Sequence, residues 1–272
     1  IAALGFCKIY KIIHKDRINM LPYLIFTLLP SSILHTAITL RESLQLFGVI
    51  FLTYGILISS KKIYRSYGEF FSITFGVFTA FLHHALFIFV FGAWLRSFYK
   101  KKNNLFKLFF VFSFLLSSII IILFPPPALD RLINQGILEA IIGFQGGFAD
   151  TDRTTYKHLI PADSAADYFL IIPRSIFYYI TMPLPQYVSS PMDIYGLFES
   201  CLRVYFIYLI LRYRKYTLRS EEQKVLWHLY LMMTFLWSVG TVNYGTAIRH
   251  HILDMWYLYI LFIRPLDKKK FA

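Results

Sequence analysis

Two apolar runs meet at a charged pair in residues 21–60, which read LPYLIFTLLPSSILHTAITL, then RE, then SLQLFGVIFLTYGILISS. One helix across both runs would be about 60 Å long at ~1.5 Å per residue, twice the hydrocarbon thickness of a bilayer. We therefore expect two membrane spans, with Arg41 and Glu42 at the turn between them or at the membrane edge. Such a pair indicates a functional site, because unpaired charges within a membrane are costly. The alternative is a turn whose two charges are simply hydrated.

The composition indicates the same class of protein. Of the 272 residues, 57% are hydrophobic and 19% are aromatic, which is more than a water-soluble domain of this length carries. The sequence predicts an all-α polytopic integral membrane protein with about 6–8 membrane segments and one large external loop. We expect a single transmembrane helical domain over residues 1–272. Because the chain opens within an apolar run at Ile1, we also expect it to be the C-terminal part of a longer protein.

The net charge of +13 comes largely from short basic runs that separate the apolar segments. Runs of this kind are typical of cytoplasmic loops under the positive-inside rule. Membrane lipids are therefore the expected surroundings of the chain, and no nucleic-acid partner is predicted. The basic runs lie at residues 8–17, 61–65, 96–102, 212–219 and 268–270.

These basic runs predict a topology. Residues 69–95 have a basic run on either side, so two short legs meeting at His83 and His84 are expected, as a re-entrant hairpin or as two thin spans. Residues 125–193 form the predicted external loop, which contains a half-membrane or interfacial segment near 168–184 because prolines interrupt it. The other spans are predicted at 20–40, 43–60, 104–124, 194–211, 225–240 and 252–263.

In this topology the unusual polar residues fall together on the external face, which predicts a site there. Glu42, His83 and His84 are the candidate catalytic bases, since carboxylates and imidazoles accept protons near neutral pH. The candidate binding groups for a diphosphate or another anionic substrate are guanidinium, imidazole and amide side chains. They are Arg41, Arg153, Arg174, Arg249, His250 and Asn243.

Each of these residues also has a structural interpretation. Glu42 could pair with Arg41, the two histidines could be structural, and Arg174 could extend to lipid headgroups. Arg249 lies in the segment Asn243–His251, which we expect to be an external loop that reverses at Gly245. In that case its guanidinium could simply meet lipid phosphates.

No metal or other cofactor is predicted. Cys7 and Cys201 lie far apart and match neither a metal motif nor a disulfide framework. The pair Asp150 and Asp152 lies in a polar loop, but no carboxylate set with the spacing of metal ligands accompanies it.

Three segments resemble sequence elements of Wzy-like bacterial polysaccharide polymerases, which are related to O-antigen ligases and class C glycosyltransferases. The first is LPSSILHTAITLRES at 29–43, and the second is YITMPLP at 179–185, followed by a span with Glu199 and Ser200. The third is NYGTAIRHH at 243–251. The three elements occur in the expected order and extend over most of the chain.

The resemblance implies a metal-independent, inverting glycosyltransferase of the bacterial inner membrane, with its site facing the periplasm or exterior. Its substrate would be an undecaprenyl-diphosphate-linked glycan, polymerised in repeat units on the external face. A chain-length regulator or other assembly proteins are expected partners. The alternatives are an O-antigen ligase-type enzyme and a non-catalytic flippase or transport subunit for lipid-linked glycans.

Overall fold

The computed structural model describes residues 2–14, 20–28, 40–59, 65–83, 86–99, 153–160 and 165–262. Within these ranges the chain is helical, and its one strand-like feature is an isolated antiparallel bridge between Thr155 and Asn243. The predicted all-α class is therefore confirmed for the part of the chain that is described. The predicted span at 104–124 and the candidate base His84 lie outside the described residues.

The described helices follow one another along the chain with short connections in its C-terminal part. Single-turn 3-10 helices at Lys157–Leu159 and Pro185–Tyr187 precede and follow α6. In chain order the α-helices are α1 Ala2–His14, α2 Met20–Leu28, α3 Leu40–Ile58, α4 Arg65–Leu82, α5 Leu86–Tyr99, α6 Ala165–Thr181, α7 Pro191–Arg212, α8 Arg214–Thr217, α9 Glu221–Gly240 and α10 Tyr244–Leu261.

Local sequence sets where α7 and α9 begin. The hydroxyl of Ser190 accepts a hydrogen bond from the Asp193 backbone N–H, and Pro191 occupies the first turn, where its missing N–H is not needed. Ser220 and Gln223 form a reciprocal capping box at the start of α9. Both helices therefore start at polar residues that satisfy otherwise unpaired backbone donors.

α10 is the central helix of the described structure. It packs against α2, α3, α7 and α9. Every side chain from Ile252 to Leu261 is buried, including the large rings of Trp256 and Tyr257. Because this part of α10 is buried on all sides, it fixes the position of the residues in the first two turns of the helix.

The prediction that residues 243–251 form a loop is wrong, because this segment forms the beginning of α10. Asn243 is the N-cap, and its side-chain oxygen accepts hydrogen bonds from the backbone N–H groups of Gly245, at 2.8 Å, and Thr246, at 3.2 Å. These two bonds start the helix at Tyr244. Gly245 consequently lies in the first helical turn and reverses nothing.

α3 and α4 pack closely because small residues line their contact. A Cβ atom added to Gly55 would lie 2.8 Å from the Cα of Ser72, and one added to Gly68 would lie 2.6 Å from the Cα of Ser59. α4 ends at Leu82 and α5 starts at Leu86, so residues 69–95 form two helices that meet at His83. The predicted break at this histidine is confirmed.

α6 continues through Pro173, so the prediction that prolines interrupt the 168–184 segment is wrong at this position. Proline removes one helical hydrogen bond, yet here the helix packs against α7 and α9, which hold it in place. The helix ends at Thr181, just before Pro183.

Three of the four charged residues of α7 are buried and most of its exposed residues are apolar, the reverse of a water-soluble surface helix. Its buried side includes Asp193, Glu199, Ser200 and Arg203. Its exposed side consists of large hydrophobic side chains, namely Met192, Ile194, Tyr195, Phe198, Val204, Tyr205, Tyr208 and Leu211. Among the described helices, two are long and apolar enough to cross a membrane: Arg41–Ile58 and Pro191–Arg212.

Candidate functional site

An ion pair between Glu42 and Arg249 joins the first turn of α3 to the second turn of α10. The Glu42 side chain is 8% exposed, whereas that of Arg249 is 44% exposed. The ion pair therefore joins a buried carboxylate to a partly exposed arginine side chain. Arg41, the neighbour with which Glu42 could alternatively pair, is exposed next to it in the chain.

Three rings stack next to this ion pair. The imidazole of His250 lies almost parallel to the indole of Trp237, with 3.8 Å between ring centroids. His83 meets the same indole edge-on at 5.1 Å. His250 is also within electrostatic reach of both His83 and Glu42. We call Glu42, His83, Trp237, Arg249 and His250 the Arg249 cluster.

Two hydrogen-bonding features of the Arg249 cluster involve His250 and Trp237. The Nδ1 atom of His250 lies 3.2 Å from the hydroxyl of Thr241, so the ring is held by a hydrogen bond as well as by stacking. The indole N–H of Trp237 is buried and, within the described part of the chain, has no hydrogen-bond partner. A buried donor without an acceptor is costly, which makes it a position where a ligand oxygen would be stabilised.

A second polar group surrounds Arg153. Its guanidinium donates to both oxygens of the Asp193 carboxylate, at 2.5 and 3.3 Å, to the hydroxyl of Ser189 at 2.7 Å and to that of Tyr244 at 3.1 Å. The hydrogen bond to Asp193 raises the pKa of Arg153 above its ordinary value. We call these four residues the Arg153 clamp. The clamp ties the start of the 153–160 segment to the first turns of α7 and α10.

The 153–156 segment runs antiparallel to the residues that precede α10. The backbone N–H of Tyr156 donates to the carbonyl of Val242 at 2.8 Å, and the Tyr244 N–H donates to the carbonyl of Thr154 at 3.0 Å. The Tyr156 hydroxyl donates to the carbonyl of Thr241 at 2.5 Å. Because the Thr241 hydroxyl also contacts His250, this short pairing connects the Arg153 clamp to the Arg249 cluster.

The predicted site residues therefore separate into groups. Glu42, His83, Arg249 and His250 come together in the Arg249 cluster, while Arg153 belongs to the adjacent clamp. Asn243 caps α10 between the two groups, as the hydrogen bonds to its side chain show. Arg174 is half-buried in α6 and belongs to neither group.

The sequence groups His251 with Arg249 and His250 as a candidate phosphate-binding cluster, but it does not reveal the buried polar residues that surround His251 deeper in the bundle. His251, Asp254, Tyr179 and Arg203 are at most 2% exposed and lie where α6, α7 and α10 meet. The signal was present, since charged residues inside apolar segments such as 194–211 and 252–263 are rare. The same reasoning that selected Glu42 would have selected Arg203 and Asp254.

Within the residues that the structure describes, no group of three His, Cys, Asp or Glu side chains is arranged to hold a metal ion. Asp150 and Asp152 lie outside the described residues. The Arg249 cluster can instead supply charge through a guanidinium, whose planar donors suit phosphate oxygens. Beside that guanidinium stand one carboxylate and two imidazoles that can accept a proton.

Comparison of the chain with protein-family models, with curated proteins and with solved structures gave no match.

Proposed function

We propose that this chain is a multi-pass membrane glycosyltransferase that polymerises lipid-linked oligosaccharide repeat units, using an undecaprenyl-diphosphate-linked donor. The observation that carries the proposal is the ion pair between Glu42 and Arg249 beside two histidines. Such a transfer needs a cation for the leaving diphosphate and a base for the acceptor hydroxyl. The Arg249 cluster contains both within one small volume.

The arrangement of side chains on the helices supports a membrane location. α7 exposes a face of large apolar side chains and buries its charged ones, which suits hydrocarbon surroundings. α3 and α4 approach each other through Gly55, Gly68 and Ser72, and small residues at helix contacts are typical of membrane bundles. We therefore propose that the other apolar helices also lie in the bilayer, in a multi-pass arrangement in the bacterial inner membrane.

In the proposed reaction, Arg249 binds the donor diphosphate. Its side chain is 44% exposed, so one edge of the guanidinium remains accessible while Glu42 fixes its orientation. The guanidinium stabilises the negative charge that develops on the leaving oxygen. The indole of Trp237 stacks on the neighbouring His250, and its buried N–H is a further donor that has no partner among the described residues.

Glu42 or one of the two imidazoles is the proposed base. A diphosphate on the accessible edge of Arg249 partly neutralises the guanidinium, so the Glu42 carboxylate on the other edge is less strongly held in its ionised form and accepts a proton more readily. The acceptor sugar oxygen would then attack the anomeric carbon as the bond to the diphosphate oxygen breaks, and its proton would pass to the base. One direct displacement inverts the anomeric centre and needs only one base.

The test uses the protein reconstituted in membranes with lipid-linked repeat units on the site-bearing face. Arg249→Ala should abolish chain extension, while the protein remains inserted and folded. Arg249→Lys should restore little activity, because a point ammonium does not reproduce a planar pair of donors. The matched control is Arg219→Ala, an exposed arginine after α8, which should extend chains normally. Extension at wild-type length by Arg249→Ala would overturn the proposal.

The same preparation separates the proposed polymerase from its alternatives. A polymerase extends repeat units without ATP or lipid A, a ligase requires the lipid A core as acceptor, and a flippase moves the lipid without lengthening it. Chain extension should also survive EDTA, since the proposed transition state is stabilised by a guanidinium. Loss of activity in EDTA, restored by a divalent ion, would contradict the metal-independent mechanism.

A further inference from the structure

Both ring nitrogens of His251 face hydrogen-bond acceptors inside the bundle. Nε2 lies 2.9 Å from the backbone carbonyl oxygen of Tyr179, and Nδ1 lies 3.3 Å from a carboxyl oxygen of Asp254. His251 is 2% exposed and Asp254 is fully buried. The second carboxyl oxygen of Asp254 accepts a hydrogen bond from the Tyr179 hydroxyl, at 3.5 Å.

The donors and acceptors of this pair fix its number of protons. A backbone carbonyl can only accept, so Nε2 of His251 must carry a hydrogen. The contact between Nδ1 and Asp254 then needs one more hydrogen, which resides either on Nδ1 as an imidazolium or on Asp254 as a carboxylic acid. In both arrangements the pair has no net charge. Without that hydrogen, two lone pairs would face each other in a buried position, which is strongly unfavourable.

The surrounding groups are compatible with a neutral pair. From α7, Arg203 acts on both His251 and Asp254, and it lies one turn after the buried Glu199, which has the opposite charge. α6 contributes Tyr179 and α9 contributes Tyr230, both neutral phenols. On α10 itself the adjacent titratable groups are Tyr257, which is hydrogen-bonded to Thr53 of α3, and Tyr259.

We propose that His251 and Asp254 form an internal proton-binding site, in which one proton is shared between the imidazole and the carboxyl group. The ligand of this site is the proton alone, and the proposal does not depend on glycosyl transfer. Moving the proton between Nδ1 and the carboxyl oxygen breaks one N–H bond and forms one O–H bond, with no change in total charge. Through the hydrogen bond between His251 and the Tyr179 carbonyl, the site also connects α10 to α6. His251 directly follows His250 in the chain.

The test is solid-state NMR of the protein in bilayers, with ¹⁵N-histidine and ¹³C-aspartate labels. The His251 signals are assigned by their loss in His251→Gln. We expect Nε2 to be protonated, together with either a protonated Nδ1 or a protonated Asp254 carboxyl. These signals should not change between pH ~5.5 and ~7.5, a range that spans the ordinary titration of imidazole. An unprotonated Nε2, or a neutral imidazole beside an ionised Asp254, would overturn the proposal.

Two further variants test whether the extra proton depends on the Asp254 carboxyl group. In Asp254→Asn the amide can donate to Nδ1, so His251 should be neutral with its hydrogen on Nε2. An imidazolium in this variant would contradict the proposal, because the extra proton would then not depend on the carboxyl group. Tyr179→Phe is the matched control, since it retains the backbone carbonyl and removes only the weak hydroxyl contact. Its proton count at His251 and Asp254 should equal that of the wild type, and a changed count would also contradict the proposal.

Discussion

At the scale of single residues, Asn243 shows how a polar residue beside a site can act through structure. Its side chain accepts two backbone hydrogen bonds at the start of α10. It therefore sets where the helix begins and, through it, where Arg249 and His250 stand. The binding role of Asn243 stays a prediction from the sequence, whereas its role as the N-cap of α10 is observed.

Replacing Asn243 with alanine should lower the stability of the protein by about 1 kcal/mol, the usual cost of losing an N-cap. Asn243→Ser should retain most of that stability, because a serine oxygen can accept the same bonds. The measurement is the thermal midpoint of both variants in the same detergent. Equal midpoints for the alanine and serine variants would show that the cap contributes nothing.

Residue pairing marks the limit of what the sequence could predict. Glu42 and Arg249 were both selected as candidates because they are charges beside apolar segments. Their direct contact spans 207 positions, and no local pattern encodes a contact at that separation. Trp237 could not be recognised from the sequence for a related reason. Aromatic residues are common in apolar helices, and only the structure shows that the His250 imidazole stacks on this one.

At the scale of elements, the sequence predicted helices well and their starts less well. The apolar lengths of α7 and α9 are evident in the sequence, and Ser190 and Ser220 are recognisable caps. The start of α10 was misplaced because Gly245 favours a turn when considered alone. The Asn243 cap overrides that preference, since it satisfies the first backbone donors of a helix.

The contact between α3 and α4 yields a prediction for this scale. Gly55→Ala should destabilise the protein by about 1–3 kcal/mol, the usual cost of overpacking, because the new methyl group meets the backbone of Ser72. Gly92→Ala is the matched control, since its methyl group meets only the flexible end of Met232. That variant should be neutral or slightly stabilised by the better helix propensity of alanine. Comparable losses of thermal stability in both variants would argue against close packing of α3 on α4.

At the scale of the whole molecule, Arg249 belongs to the central helix of the described structure and not to a connecting loop. Arg249 lies in the second turn of α10, about 8 Å along the axis from its start at ~1.5 Å per residue. The sequence had placed this arginine in an external loop. The Arg249 side chain is 44% exposed but its partner Glu42 is buried, and a charge pair with one buried member is screened by water less than a fully exposed pair.

The proposed topology predicts opposite labelling at the two ends of α7. In a background with Cys7 and Cys201 replaced by serine, Gln186→Cys should react with an impermeant maleimide from the periplasmic side, whereas Lys215→Cys should not. Both positions are exposed, and the 22 residues of α7 between them span about 33 Å, enough to cross the hydrocarbon core. Labelling of both positions from the same side would contradict a transmembrane α7.

Because Trp237 stacks on His250, the fluorescence of Trp237 should report binding at the Arg249 cluster. Indole emission responds to the charge and distance of a neighbouring imidazole, and these two ring centroids are 3.8 Å apart. A diphosphate that engages Arg249 would disturb the adjacent His250 ring and change the fluorescence of Trp237. Titration with a soluble diphosphate should therefore give a saturable spectral change without any added dye. The change should disappear in Trp237→Phe, although Trp94, Trp227 and Trp256 would still emit.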